Sequence, residues 1–169
     1  MSRIASRLSS ILLVIVSTTV SGGQTEPKAI YLNTVPDDTI VTLQRGACEH
    51  RCAAYKLIIF GDGVLIWVGE DHVRQMGVVK SKVNVEELKK MLEEFTAAGY
   101  FNLESEYGKT DEGCTSTVRR EPVVISSVAS GGLSKTIIHH HRCIGAIPDK
   151  LTALEDRIDQ LAHSSRWIN

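Results

Sequence analysis

The side chains best equipped for chemistry are four cysteines, Cys48, Cys52, Cys114 and Cys143, and an unbroken histidine run, His139-His140-His141. On a strand, His139 and His141 project to one face about 6.6 Å apart along it, and His140 to the other. Two imidazoles hold a metal ion only with a third ligand, which His72 or a carboxylate from Asp111 or Glu112 could supply. None of these stands at the spacing of a structural zinc motif, so the plainer reading is a polar patch at a strand end. Cys48 and Cys52 are spaced C-x3-C, one residue longer than a thioredoxin-type C-x-x-C, and no βαβ pattern follows. That weighs against redox catalysis. His50, between them, raises a thiolate–imidazole metal site as a lesser option, because oxidation competes for the thiols. An even cysteine count in an oxidising compartment implies two disulfides instead. Of the three possible pairings, spacing favours Cys48 with Cys52 and Cys114 with Cys143.

The compartment is read from the N-terminus. Arg3 and Arg7 form a short basic region, Ile11–Val16 an apolar one, and Val20-Ser21-Gly22-Gly23 offers small residues for cleavage. The apolar run is shorter than the roughly 18 residues a spanning helix needs, and no cysteine stands at the cleavage site to carry a lipid. Residues 1–23 therefore read as a signal peptide, leaving no stable membrane anchor after cleavage. Removal of Arg3 and Arg7 leaves 17 of the 19 bases against 20 acids, a net charge of −3. With no Lys/Arg cluster, nucleic acid is not an expected partner. The remaining 146 residues suit one domain with a substantial core.

These groups must be positioned by a small set of elements. Residues 24–37, with Pro27 and Pro36 and no apolar period, read as an exposed lead-in to a single domain over 38–169. Thr39–Leu43 and Ala54–Phe60 read as strands. Asp62-Gly63 suits a type I′ turn, which would pair Phe60 with Leu65 and Ile58 with Trp67 on one face, and Ile59 with Ile66 on the other. Both faces of this hairpin are apolar, so it should lie inside the sheet with cover on each side. Val73–Val83 suggests a further strand broken at Gly77. Asn84 caps a helix to about Ala98, with Glu87 completing a capping-box-like arrangement and Val85, Leu88, Met91, Leu92 and Phe95 on one stripe. Glu86 and Lys90 have the spacing of a surface ion pair. Val118–Val128 and Leu133–His141 form a second hairpin around Ser130-Gly131-Gly132. Pro148 opens a last helix carrying Leu151, Leu154, Ile158 and Leu161 at 3 and 4 spacing. The expected fold is α+β: a mainly antiparallel sheet of about six strands with two amphipathic helices packed on it.

With these elements in order, the chain resembles the DUF6438 domains of unknown function, a family of exported bacterial proteins, over most of residues 38–168. The resemblance rests on Cys48-Glu49-His50-Arg51-Cys52-Ala53-Ala54-Tyr55 leading into the strand to Phe60 and its Gly61-Asp62-Gly63 turn. Gly99-Tyr100-Phe101 after the helix, Leu154-Glu155-Asp156-Arg157-Ile158-Asp159 and Arg166-Trp167-Ile168 complete it. It implies the fold and export but brings no activity.

No G-x-S-x-G elbow, P-loop, H-E-x-x-H or Rossmann fingerprint occurs, and Asp37-Asp38 and Glu93-Glu94 read as solvated charge. Trp67 should anchor the core beside Ile58, and Trp167 the C-terminal tail. No residue is assigned to catalysis, cofactor or metal, and no cofactor is expected. The leading expectation is a non-catalytic exported domain that binds a protein or envelope component. The alternative is a metal-binding or metal-dependent hydrolytic domain built on His139 and His141, and a third, weaker one is thiol–disulfide exchange at Cys48 and Cys52.

Overall fold

The computed structural model describes residues 34–48, 51–111, 114–118 and 121–169. The signal peptide, most of the lead-in, His50 and Glu112 lie outside the described residues.

Four strands come first: β1 (Ile40–Arg45), β2 (Ala54–Phe60), β3 (Val64–Asp71) and β4 (Gly77–Lys82). Helix α1 (Val85–Ala97) follows, then the short β5 (Glu106–Tyr107) and β6 (Ser116–Thr117). The long β7 (Val123–Ser130) and β8 (Leu133–His140), the short β9 (Cys143–Ile144) and α2 (Ala146–Ala162) complete the order, with a last helical turn at Ser165–Ile168. Seven strands form one sheet in the order β4-β3-β2-β1-β7-β8-β5, and β6 pairs with β9 in a two-stranded ribbon. All pairs are antiparallel except β5 with β8. The chain is thus α+β, with one strand more in its main sheet than the turn signals indicated.

Two turns exchange the roles that sequence gives them. Gly131 and Gly132 both take positive φ, +58° and +78°, and join Ser130 to Leu133 as a two-residue primed turn. Between β2 and β3 only Gly63 is left-handed (φ +81°), and its N–H donates to the Phe60 carbonyl at 2.9 Å. That is a type I turn followed by one left-handed residue, a three-residue connection. Asp62 is not among the residues of positive φ, and its Oδ1 accepts the Val64 N–H at 3.0 Å. The extra residue moves the pairing by one, to Leu57 with Trp67, Ile58 with Ile66 and Ile59 with Leu65. A one-residue shift reverses faces. Trp67 is therefore in the core beside Tyr55 and Trp167, with ring centroids at 4.6 and 5.0 Å, and Ile58 lies on the opposite side of the sheet.

The inward side chains of β1, β2, β3, β7 and β8 meet Leu88, Met91, Leu92 and Phe95 of α1 and Leu151, Leu154, Ile158 and Leu161 of α2 in one core. Asn84 caps α1, its Oδ1 accepting from the N–H groups of Glu86 and Glu87. Glu87 does not complete the box: its carboxylate holds Lys90 at 2.8 Å and Arg157 of α2 at 3.4 Å. Lys90 thus takes the acid three residues before it and not Glu86. Val85, at the rim of the apolar stripe, is 38% exposed. The hairpin of β2 and β3 is internal to the sheet, but α1 and α2 cover only one face of it; Ile58, Ile66, Val68, Ile125 and Ile138 point outward and take no part in the core.

Asp38, read from sequence as solvated charge, holds the Gly131–Gly132 turn. Its two carboxylate oxygens accept the Gly131 and Gly132 N–H groups, each at 2.9 Å. The Gly132 bond, then the Gly131 bond, lower its pKa from the ordinary 3.8. A depressed folded pKa means that the contribution is complete above the unfolded value and is lost as pH falls through the folded one. The stability gap between the native chain and Asp38→Ala is therefore expected to hold at neutral pH and to close in acid, below about pH 4. Urea midpoints measured down the pH scale check this, and a gap independent of pH contradicts it.

Candidate functional site

The chemistry-bearing side chains converge where the end of β8 passes beneath α2. Alternation along β8 turns Ile137 and His139 into the core and Ile138 and His140 outward, and His141 follows on the inner side. Above them, Leu151, Leu154, Ile158 and Leu161 form the apolar stripe of α2, and Glu155 stands on that stripe, four residues after Leu151 and three before Ile158. A carboxylate is thereby carried into the core; Glu155 is 0% and His139 1% exposed.

His139 Nδ1 lies 3.0 Å from Glu155 Oε1, and His141 Nε2 lies 2.7 Å from Glu155 Oε2. The two imidazole centroids are 4.1 Å apart. Burial pushes the Glu155 pKa up, but the hydrogen bonds from His139 and His141, together with their charge, outweigh it and leave the pKa lowered. One polar atom has no answer: His139 Nε2 is buried without a hydrogen-bond partner. Close by in the core, the Tyr100 hydroxyl bonds Ser126 Oγ at 2.9 Å. Burial, and more weakly the Glu155 charge, push the Tyr100 pKa up to about 12.

The surroundings hold α2 in register over the histidines. Arg45 of β1 reaches two acids of α2 at once, Nε to Asp159 and a terminal nitrogen to Asp156, both at 2.7 Å. The Tyr55 hydroxyl donates to the other Asp159 oxygen at 2.7 Å, and burial, then the Asp159 charge, raise its pKa. On the other side, a disulfide joins Cys114 to Cys143, two residues beyond His141, and fastens the β6–β9 ribbon there. The second disulfide joins Cys48 to Cys52 within the connection from β1 to β2.

Among the described residues the third group beside the histidines is Glu155 and neither His72 nor Asp111, while Glu112 lies outside them. His72 pairs with Asp71 on the surface, at 2.9 Å, and Asp111 pairs with Arg142. The run does lie at a strand end, as a polar patch would, but only His140 is on the outer side, where it meets Glu106 at 3.1 Å. His139 is inside because the apolar residues two before it and opposite it, Ile137 and Val124, set that face as the core. Glu155 was legible as a lone acid on an otherwise apolar helical stripe. Without knowing that α2 crosses β8, that signal had no partner.

The family model described as domain of unknown function DUF6438 matches residues 39–162, from the start of β1 to the end of α2. The chain belongs to the DUF6438 family. No curated protein matches it. The DUF6438 match spans both sides of the histidine–glutamate cluster and the whole main sheet. Its description assigns the family no activity, so function is argued from the surfaces and groups themselves.

Proposed function

We propose that the protein is a non-catalytic exported domain that binds a protein partner on the sheet face that no helix among the described residues covers. The observation that carries this reading is that face itself. Val78 is 71% and Ile40 42% exposed there, among the half-buried Ile58, Phe60, Ile66, Val68, Ile125 and Ile138. Single exposed apolar residues are ordinary, but a contiguous set on a flat surface marks an interaction site. Register places Lys80 beside Ile66, Lys82 beside Val64 and Lys56 beside Val68, with hydroxyls of Ser127 and Thr136 toward the far side. Lys56, Lys80 and Lys82 against Glu70 at this end of the sheet, with Glu106 at the far edge already paired to Lys109 and His140, favour a polypeptide whose apolar residues are flanked by acids. Export is supported by the basic and apolar N-terminal segment and by the two disulfides. Among the described residues no helix is long and apolar enough to cross a membrane.

The test places a photo-activated cross-linker at Val78 or Ile66, and for comparison at Glu94 on the helical side, in the mature protein in its own compartment. A protein adduct from the sheet face only, weakened by Lys80→Glu with Lys82→Glu, is the expected result. Equal adducts from both faces, adducts to lipid or glycan, adducts to a second copy alone, or none at all would each defeat the proposal.

A further inference from the structure

We propose that His139, His141 and Glu155 bind one transition-metal dication of the Zn2+ class, tying α2 to the end of β8. The three residues each offer a donor atom, and these atoms lie within 4.8 Å of one another. Two imidazole nitrogens and a carboxylate oxygen suit a borderline ion such as Zn2+ or Co2+, not the all-oxygen shells of Ca2+ or Mg2+. Bonds of about 2.0–2.2 Å to such an ion set tetrahedral neighbours about 3.4 Å apart. The carboxylate now stands at 3.0 and 2.7 Å from the two rings, so it needs to draw back by less than about 1 Å.

The second observation is that, among the described residues, Glu155 is the sole hydrogen-bond partner of the His139 ring, so no other group holds that ring in place. With protons alone, Glu155 accepts one N–H from each ring, and the remaining nitrogen of His139 stays buried with nothing to bond. A half-turn of that ring about Cβ–Cγ carries Nε2 to the position of Cε1, beside the present Nδ1 and so toward Glu155. The same rotation carries Nδ1 to the position of Cδ2, so in either pose one nitrogen of His139 serves the ion and the other stays buried without a partner. His141 is 17% exposed, which leaves the fourth position on the solvent side for water or an incoming ligand. His140 serves as the internal control, because it faces the other side of the sheet with Glu106.

The experiment titrates the metal-stripped mature protein with Co2+, which reports coordination through its visible absorption, and competes it with Zn2+. One equivalent of Co2+ with the intense bands of a four-coordinate site, displaced by Zn2+, is expected. His141→Ala and Glu155→Gln should each weaken binding by about 100-fold, while His140→Ala leaves it unchanged. X-ray absorption of the Co2+-loaded native chain should show two imidazoles and needs no variant to fold. Absence of stoichiometric Co2+, fewer than two imidazoles, or binding lost with His140→Ala and kept in His141→Ala overturns the site. The outcome is independent of whether the sheet face binds a partner.

Discussion

Glu155→Ala is expected to lower the free energy of unfolding by about 3–5 kcal/mol, measured by urea denaturation in chelator so that no metal contributes. The size follows from what is left behind. His139 and His141 both direct a ring nitrogen at this carboxylate, and His139 is 1% exposed, so water cannot replace the lost acceptor. Breaking a buried set by removing one member costs far more than never having built it. Glu155→Gln keeps the volume and one carbonyl acceptor, and should cost less than half as much. Equal losses for Ala and Gln would mean that charge alone matters here, and a loss below about 1 kcal/mol for Ala would mean that the histidines find other partners.

Trp67→Ala should be of the same order, about 3–5 kcal/mol, a large part of the stability of an ordinary domain. Trp67 is fully buried, stacked on Tyr55 and tilted against Trp167. Its Nε1–H donates to the Gln75 carbonyl at 2.9 Å, which orders the segment between β3 and β4, and Gln75 in turn donates its N–H to the Trp167 carbonyl. Removing the indole thus empties a site between the side chains of Tyr55 and Trp167 and leaves a carbonyl unanswered. Trp67→Phe retains the packing without the donor and should recover most of the loss. The denaturant midpoint reads both variants, provided the slope of the transition is unchanged. If Ile58→Ala proved as costly as a buried core residue, the register of this hairpin would be the one expected from a primed turn at Asp62-Gly63, which sets Ile58 and Trp67 on one face.

That register shows how far the sequence could be followed. Both helices, the order of the long strands and the Asn84 cap were legible, because they depend on apolar period and on local capping chemistry. The β2–β3 alignment was not, since Asp-Gly suits two turn geometries and only Gly61, whose Cα backs onto the Pro36 carbonyl, belongs to the longer one. An added Cβ there would lie 2.6 Å from that oxygen, a contact between segments 25 positions apart that no local pattern contains. The same holds at the candidate site. Alternation placed His139 and His141 on one face correctly, but which face was the inner one, and which acid came to meet them, depended on α2 crossing β8.

One further property follows from the strand order. β1 lies between β2 and β7, so Ile40–Arg45 are hydrogen-bonded on one edge to residues near 60 and on the other to Val124–Ala129. The middle of the molecule is closed by a pairing that spans 79 positions at Arg45–Val124 and 89 at Ile40–Ala129. A nascent polypeptide emerging N-terminus first therefore carries β1 with one unsatisfied edge until the β7–β8 hairpin arrives. Such distant pairing slows folding, and an open edge invites pairing with neighbouring molecules meanwhile. The first 120 residues, made alone, should accordingly collect in insoluble aggregates, whatever the completed protein binds.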